Sequence, residues 1–386
     1  MKGINKIKIV IVGFFVMLPS LCLFSEDTLF DFDERKEYKD TSFTMTDVKL
    51  PEVKKTNDII SERKFFRILS NGKEEEVLPI KDIDGKNYYK FKPNERFYSR
   101  YSCTTSQPSN QTYQVCEGFR FDPKPAGHNH NTNIPPYNDW DDKPLPNPAC
   151  TPVTQLNNYS YIYFKAPQFS TRAEHRIQFY GCGSDNPYYD IVDIKIEGLV
   201  ALKPAYQDSL HQYTTYYTLI GSTPTHPANH FARSQTIDLL KEIAWKYHEE
   251  FPKSEVLNIN DISLIWGGLF DVNNNWKPPH TFHRYGRQVD IRSWSIHPEN
   301  VERFKQICCE LGVEVELHSK DHKPLNAFES AIWEKTIFNL PPWNQLSEKE
   351  LDERTPHYHL VFPKYDDEVD DPQDQTPQGC PSVIHR

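Results

Sequence analysis

Short runs of hydrophobic and aromatic residues, separated by polar turn residues, fill the first half of the chain. Residues 159–164, 176–180 and 191–196 are rich in β-branched and aromatic side chains. Runs of this length and composition predict β-strands. We therefore predict a β-rich, sandwich-like domain over residues 66–204. A stretch rich in Pro, Asn and Asp, residues 122–152, is expected to interrupt it as a loop.

Beyond residue 205 the apolar spacing changes to steps of three and four. It predicts one helix from Ser234, as N-cap, to about Phe251, and a second over residues 298–311, which Gly312 ends. Three strands are expected between and after the helices, over residues 262–266, 313–317 and 357–362. This order predicts an α+β domain with a small antiparallel sheet over residues 205–364.

The N-terminus has the composition of an export signal. Lys2, Lys6 and Lys8 precede an apolar run over residues 9–24. We expect a signal peptide over residues 1–25. A membrane anchor is the alternative, but the run is shorter than a spanning helix and contains Pro19. Lipid modification of Cys22 stays open.

The flanks of the two domains are charged, and so is the chain as a whole. Residues 26–65 are interpreted as a leader and residues 365–386 as a solvated acidic tail. The 386 residues include 44 Lys and Arg against 54 Asp and Glu, a net charge of −10. An acidic chain without a basic run excludes nucleic acid as an expected partner. We predict a periplasmic, cell-surface or secreted protein with no membrane span in its mature part.

Export favours disulfides. With Cys22 removed, seven cysteines remain, so at least one is free or pairs outside the chain. Plausible bridges are Cys103–Cys116 and Cys150–Cys182.

Two adjacent cysteines lie on the second helix. The spacing predicts that Cys308 is buried with the apolar face and that Cys309 is exposed. Cys309 could then bridge to Cys380 in the acidic tail. A free Cys380 is the alternative.

Histidines accumulate in the last third of the chain, where two patterns predict a common site. His357 and His359 are two apart on a strand, so both rings project from one face. Asp290 stands between Val289 and Ile291, so on a strand its carboxylate points away from the core. His283 precedes it on a loop broken by glycine. Two histidines and one carboxylate then converge, which is the ligand set of a catalytic zinc.

A second His-x-His, formed by His128 and His130, lies in the Pro/Asn-rich loop. It has no partner motif beside it, and we assign it no metal. One zinc ion per chain is expected.

These patterns resemble a known family. His283-x6-Asp290 followed by His357-x-His359 resembles the zinc metallopeptidases grouped with lysostaphin, the D-alanyl-D-alanine peptidases and the hedgehog signalling domain. The finer pattern, His-x-x-His-x-x-Gly-x-x-Val-Asp from His280 to Asp290, is most similar to the penicillin-insensitive murein endopeptidases. The resemblance covers residues 280–362.

The resemblance implies a role for each residue of the motif. Zinc would be held by His283, Asp290 and His359. His357 would lie beside the attacking water or the oxyanion, which suits a general base. His280 matches an extra active-site histidine that could orient the water or stabilise the oxyanion.

Arginines flank this motif and could bind a peptide carboxylate. An ordinary surface role is the alternative for each one. The three are Arg284, Arg287 and Arg292.

The sequence therefore predicts an exported zinc-dependent peptidase. Its expected substrate is an amide bond in peptidoglycan peptides, cut as an endopeptidase or a carboxypeptidase. The alternative is a non-catalytic, zinc-stabilised binding protein at the cell surface. His357 favours the enzyme, because a structural site has no need of the additional histidine.

Overall fold

The computed structural model describes part of the chain. The described residues are 59–81, 85–104, 113–130, 133–139, 141–153, 159–180, 187–203, 216–271, 273–277, 283–319, 323–337, 347 and 356–364. The expected signal peptide, the acidic tail, His280, Cys182 and Cys380 lie outside them.

Strands of two to ten residues make up the N-terminal part of the fold. The first begins at Ile59, before the predicted domain boundary at residue 66. The strands are β1 (Ile59–Ile68), β2 (Glu74–Val77), β3 (Ile80–Lys81), β4 (Asn87–Phe91), β5 (Arg96–Thr104), β6 (Tyr113–Asp122), β7 (Ala149–Val153), β8 (Ser160–Lys165), β9 (Thr171–Tyr180), β10 (Tyr188–Ile194) and β11 (Leu199–Ala201).

Strands β1 to β10 form two sheets that share one core. The order is β2-β1-β5-β8 in the first sheet and β3-β4-β10-β9-β6-β7 in the second. All neighbours are antiparallel except β4 and β10. Phe65 and Phe97 from the first sheet pack with Phe91 and Phe119 from the second. Alternation of apolar and polar residues therefore buries one face of each sheet.

Within its described residues, the C-terminal part adds six strands and three α-helices. They are β12 (Tyr217–Leu219), β13 (Phe231–Arg233), α1 (Ser234–Glu250), β14 (Leu257–Ile259), β15 (Gln288–Arg292), α2 (Val301–Glu310), β16 (Glu314–His318), α3 (Ala327–Ile337) and β17 (His357–Val361).

A five-stranded sheet in the order β12-β14-β15-β17-β16 organises this part. Helices α1 and α2 supply Leu240 and Phe304 to the core against the sheet, and Ile291 and Tyr358 face them from β15 and β17. One set of alternating strand residues is therefore buried against the helices. The other set, which includes Asp290 and both histidines of β17, points away from that core.

The extents predicted for the two main helices are confirmed, with small differences at their ends. Ser234 is the first residue of α1 rather than its cap, and Arg233 occupies the cap position. A single turn of 3₁₀ helix, Pro298–Asn300, precedes α2. Helix α3 has no clear apolar period and was not predicted.

The strand predicted over residues 262–266 is wrong. Ser263 makes only an isolated bridge to His230. The chain turns instead, because the Gly267 N–H donates to the Leu264 carbonyl and both Gly267 and Gly268 have positive φ angles. A Cβ at Gly268 would lie 2.7 Å from the Ser170 backbone nitrogen, so only glycine fits where the two parts of the chain meet.

Neither predicted disulfide involving Cys116 and Cys150 is correct. These two cysteines are bonded to each other. They are direct partners in the β6–β7 register, which brings their Cα atoms to 4.1 Å. Strand pairing therefore selects this bridge over Cys103–Cys116 and Cys150–Cys182.

The prediction that Cys308 of α2 is buried is confirmed, and this cysteine is free. Burial also raises the pKa of its thiol. Cys309 is half-buried rather than exposed, and it is disulfide-bonded. Its proposed partner Cys380 lies outside the described residues.

None of the helices in the described part of the chain is long and apolar enough to cross a membrane.

We predict that Phe304→Ala destabilises the fold by about 3–5 kcal/mol, because it removes a fully buried ring. That ring packs against Tyr247 and Tyr358. Denaturant unfolding of the full chain measures the change. Phe328→Ala is the matched control, since that ring is 75% exposed, and it should change the stability by less than about 0.5 kcal/mol. Equal effects of the two changes would contradict this account of the core.

We predict that peptide mapping under non-reducing conditions finds Cys309 linked to Cys380. The bond would hold the acidic tail against α2. Cys309 joined to any other cysteine, or alkylation of Cys380 in the native protein, would refute the pairing.

Candidate metal centre

Strand β15 places Asp290 on the face of the sheet opposite the helices. Val289 and Ile291 are fully buried in the core with α1 and α2. Because side chains alternate along a strand, Asp290 points the other way. Its carboxylate is also fully buried. A buried carboxylate needs partners that stabilise its charge.

Strand β17 supplies two of these partners. His359 is the direct antiparallel partner of Asp290, and His357 is the partner of Arg292. Tyr358, between the two histidines, packs into the helix core. Both imidazoles therefore lie on the Asp290 face, as the sequence predicts.

His283 reaches the same point from the turn before β15. Its backbone has a φ of 71°, and its N–H donates to Oε1 of Gln288 at 2.5 Å. The Nδ1–H of the ring donates to the Gln288 carbonyl at 3.1 Å. Gly286 completes the turn at a φ of 67°, where a Cβ would lie 2.8 Å from the Cα of Ala232. These contacts direct Nε2 of His283 toward Asp290.

The three predicted zinc ligands converge around the Asp290 carboxylate. Nε2 of His283 lies 3.2 Å from Oδ2, and Nδ1 of His359 lies 2.8 Å from Oδ1. Nε2 of His357 lies 3.4 Å from Oδ2. One ligand atom from each of His283, Asp290 and His359 falls within 4.8 Å of the other two.

Electrostatics at the centre favour an ionised carboxylate. Burial opposes its ionisation, but His357 and His283 hold the pKa of Asp290 well below its ordinary value. Burial lowers the pKa of His359 to about 4, so this ring is neutral at neutral pH. Burial acts in the same direction on His283, but the adjacent Asp290 outweighs it and raises the pKa.

The donor set fits a zinc ion. Two imidazole nitrogens and one carboxylate oxygen are ligands of catalytic zinc sites. Tetrahedral bonds of about 2.0–2.1 Å separate ligand atoms by about 3.3–3.4 Å, close to the 3.2 Å between His283 and Asp290. His283 also donates its second ring N–H to a backbone carbonyl, which is how metal-binding histidines are commonly oriented.

A fourth histidine, His318, adjoins the centre. It ends β16 opposite His357, and its ring stacks on His359 with centroids 4.5 Å apart. Nε2 of His318 lies 2.9 Å from Oε2 of Glu316. Polar and apolar residues alternate along β16, and this pattern could have predicted that His318 lies beside β17.

A second buried carboxylate, Asp261, was also missed. The Asp290 N–H donates to the Asp261 carbonyl, and Asn229 donates to the Asp261 carboxylate. Burial and the charge of Asp290 raise the pKa of Asp261 to about 6. No local motif marks this residue, because it follows β14 rather than β15 or β17.

The flanking arginines differ in their surroundings. Arg287 is buried, and its Nη1 donates to the carbonyl of Phe362. Arg284 is buried and donates to Gln168. Arg292 is partly exposed and donates to Asn260. His280 lies outside the described residues.

Comparison of the chain with protein-family models and with curated proteins finds no match.

We predict that Asp290→Asn and His359→Ala each lose the metal of this centre, because each removes a ligand. Elemental analysis of the purified full chain measures the loss, and circular dichroism checks the fold. His297→Ala is the control, since its side chain is 49% exposed, and it should keep the full metal content. A full metal content in Asp290→Asn would contradict the ligand assignment.

Proposed function

We propose that the chain is an exported zinc-dependent peptidase that hydrolyses amide bonds in peptidoglycan peptides. The supporting observation is the convergence of His283, Asp290 and His359, with His357 as an additional histidine at the same carboxylate. Three protein ligands leave one position of a tetrahedral zinc free for chemistry. Export rests on the N-terminal pattern, and the substrate class rests on the resemblance of the motif.

His357 is the side chain best placed to move a proton. Zinc at such a centre supplies Lewis-acid chemistry, which polarises a carbonyl and makes water more acidic. His357 would accept a proton from the attacking water and return it to the leaving amine. Its position is fixed from both sides, by Tyr358 in the core and by the edge of the His318 ring, 5.7 Å away.

Arg292 is the preferred candidate for binding a substrate carboxylate. It is the antiparallel partner of His357 and retains partial exposure. Arg284 and Arg287 donate to groups inside the protein, which favours a structural role for both.

The alternative, a non-catalytic zinc-stabilised binding protein, is favoured by the burial of the centre. The side chain of His357 is 5% exposed and that of His359 is 1% exposed. A buried centre stabilises a fold whether or not substrate reaches it. The two functions predict different results when His357 is removed.

We predict that His357→Ala keeps the metal but lowers amide hydrolysis by about 10²–10⁴-fold, the usual contribution of a general base. The assay measures release of new amino groups from purified peptidoglycan and from cross-linked muropeptides. Metal content is measured on the same samples. His297→Ala serves as the matched control and should hydrolyse at the wild-type rate.

Two results would overturn the peptidase proposal. The first is a zinc-loaded wild-type chain that hydrolyses none of these substrates, which favours the binding protein. The second is full activity in His357→Ala. Loss of metal in His357→Ala would instead show that this histidine is a ligand.

A further inference from the structure

A second cluster of metal-binding side chains lies outside the candidate metal centre. It comprises His128, His130, His226 and Asp271. The two histidines of the loop after β6, to which the sequence assigned no metal, thus meet partners from the C-terminal part of the chain. His226 comes from the loop between β12 and β13, and Asp271 from the segment between β14 and β15.

The polar atoms of this cluster surround one carboxylate oxygen. Oδ1 of Asp271 lies 3.1 Å from Nδ1 of His128, and 3.3 Å from Nε2 of both His130 and His226. The Nε2 atoms of His130 and His226 are 3.3 Å apart. Tetrahedral zinc bonds of about 2.0–2.1 Å place ligand atoms about 3.3–3.4 Å apart. A tetrahedral site has six distances between its ligand atoms, and four of them are therefore matched here.

Hydrogen bonding alone does not account for this geometry. His128 is completely buried, and neither of its ring nitrogens makes a hydrogen bond to any residue in the described ranges. Its Nδ1 is close to Asp271 without the alignment of a donor. Buried polar groups normally have partners, so a buried ring nitrogen without a protein partner indicates a bound ligand or a special role. Nδ1 of His128 points to such a ligand at the centre of the cluster.

The surroundings orient the four side chains. Oδ2 of Asp271 accepts the backbone N–H of Trp276 at 2.7 Å, which turns Oδ1 toward the histidines. The Trp276 ring packs on His128 and His130 at centroid distances of 5.0 and 4.5 Å. Phe270 contacts His226. This combination of an oriented carboxylate and an apolar shell is typical of metal sites.

The charge balance also favours a cation. Asp271 is fully buried, and its described ion-pair contacts are all with histidines. A buried carboxylate is costly unless a positive charge or hydrogen-bond donors stabilise it. A divalent cation offsets its charge.

We propose that His128, His130, His226 and Asp271 form a second zinc site, which is structural and joins the β-rich part of the chain to the C-terminal part. Four protein ligands complete a tetrahedron, and closed sites of this kind are structural. Three nitrogens and one oxygen in this geometry suit zinc among the common divalent ions.

The same two segments also contact each other directly. The backbone N–H of Asn129 donates to the Thr225 carbonyl at 2.7 Å, and its side chain donates to the Pro224 carbonyl. Gly127 turns the chain before His128 at a φ of 102°, where a Cβ would lie 3.3 Å from Ile265. A metal ion would cross-link segments that are far apart in sequence. Such a cross-link stabilises the fold because it lowers the conformational entropy of the unfolded chain.

Metal content measured with zinc alone tests the proposal independently of any activity. The full-length wild-type chain should bind two equivalents. Asp290→Asn removes a ligand of the other centre and should keep one equivalent. Asp271→Asn should also keep one. The double variant should bind none.

Two further measurements describe the site in Asp290→Asn protein, where the proposed ligands are intact. Cobalt in place of zinc should give the visible absorption intensity of a tetrahedral ion, and the unfolding midpoint should rise with zinc concentration. His130→Gln, which keeps a polar side chain, replaces Asp271→Asn if that variant does not fold.

Zinc-free Asp290→Asn protein would overturn the proposal, and so would two equivalents in a folded Asp271→Asn variant. Octahedral cobalt spectra in Asp290→Asn would overturn the closed tetrahedral site. A chain without hydrolytic activity that still binds zinc through Asp271 would leave this site intact, so its test is separate from that of the peptidase.

Discussion

Alternation of side chains along the paired strands β15 and β17 is the constraint on which the candidate metal centre depends. Val289, Ile291 and Tyr358 belong to the helix core, so Asp290 and His359 must face the opposite side. A shift of one residue in either strand would exchange the two faces. One register of β15 and β17 therefore both buries the core residues and brings the polar residues together.

The two clusters of histidine and aspartate solve the same electrostatic problem in different ways. Each has a fully buried carboxylate that imidazoles surround. At Asp290, two strands and the turn before β15 supply three ligands and an additional histidine, which suits chemistry at a free coordination position. At Asp271 the loops supply four ligands, which suits a closed structural site. Ligand number thus connects the first cluster with the proposed peptidase and the second with the proposed joint between the parts.

Contacts between the β-rich and C-terminal parts are built from loops rather than from a shared sheet of long strands. The short pair β11–β13 crosses between them, and Ile196 donates to the Trp266 carbonyl. Phe169 forms a bridge with Gly268, and its ring packs on Trp276. Isolated contacts of this kind are individually weak. A metal ion beside Trp276 would strengthen the same region.

The sequence by itself determined the features that depend on local periodicity. The apolar spacing of α1 and α2, the burial of Cys308, and the strands that carry Asp290 and His357 all follow from steps of two, three or four residues. The convergence of His283 with Asp290 was predictable for a similar reason. Only a glycine-containing turn separates the two, and backbone geometry limits where the loop can place the ring.

Only the tertiary structure decided the features that join distant segments. The Cys116–Cys150 bridge follows from the register of β6 and β7, which cysteine spacing does not encode. The site at Asp271 draws ligands from three loops, so no spacing along the chain identifies it. The physical reason is that the free-energy cost of closing a long loop depends only weakly on its length. Sequence separation therefore does not indicate which segments meet, and the packing of the two parts selects which side chains do.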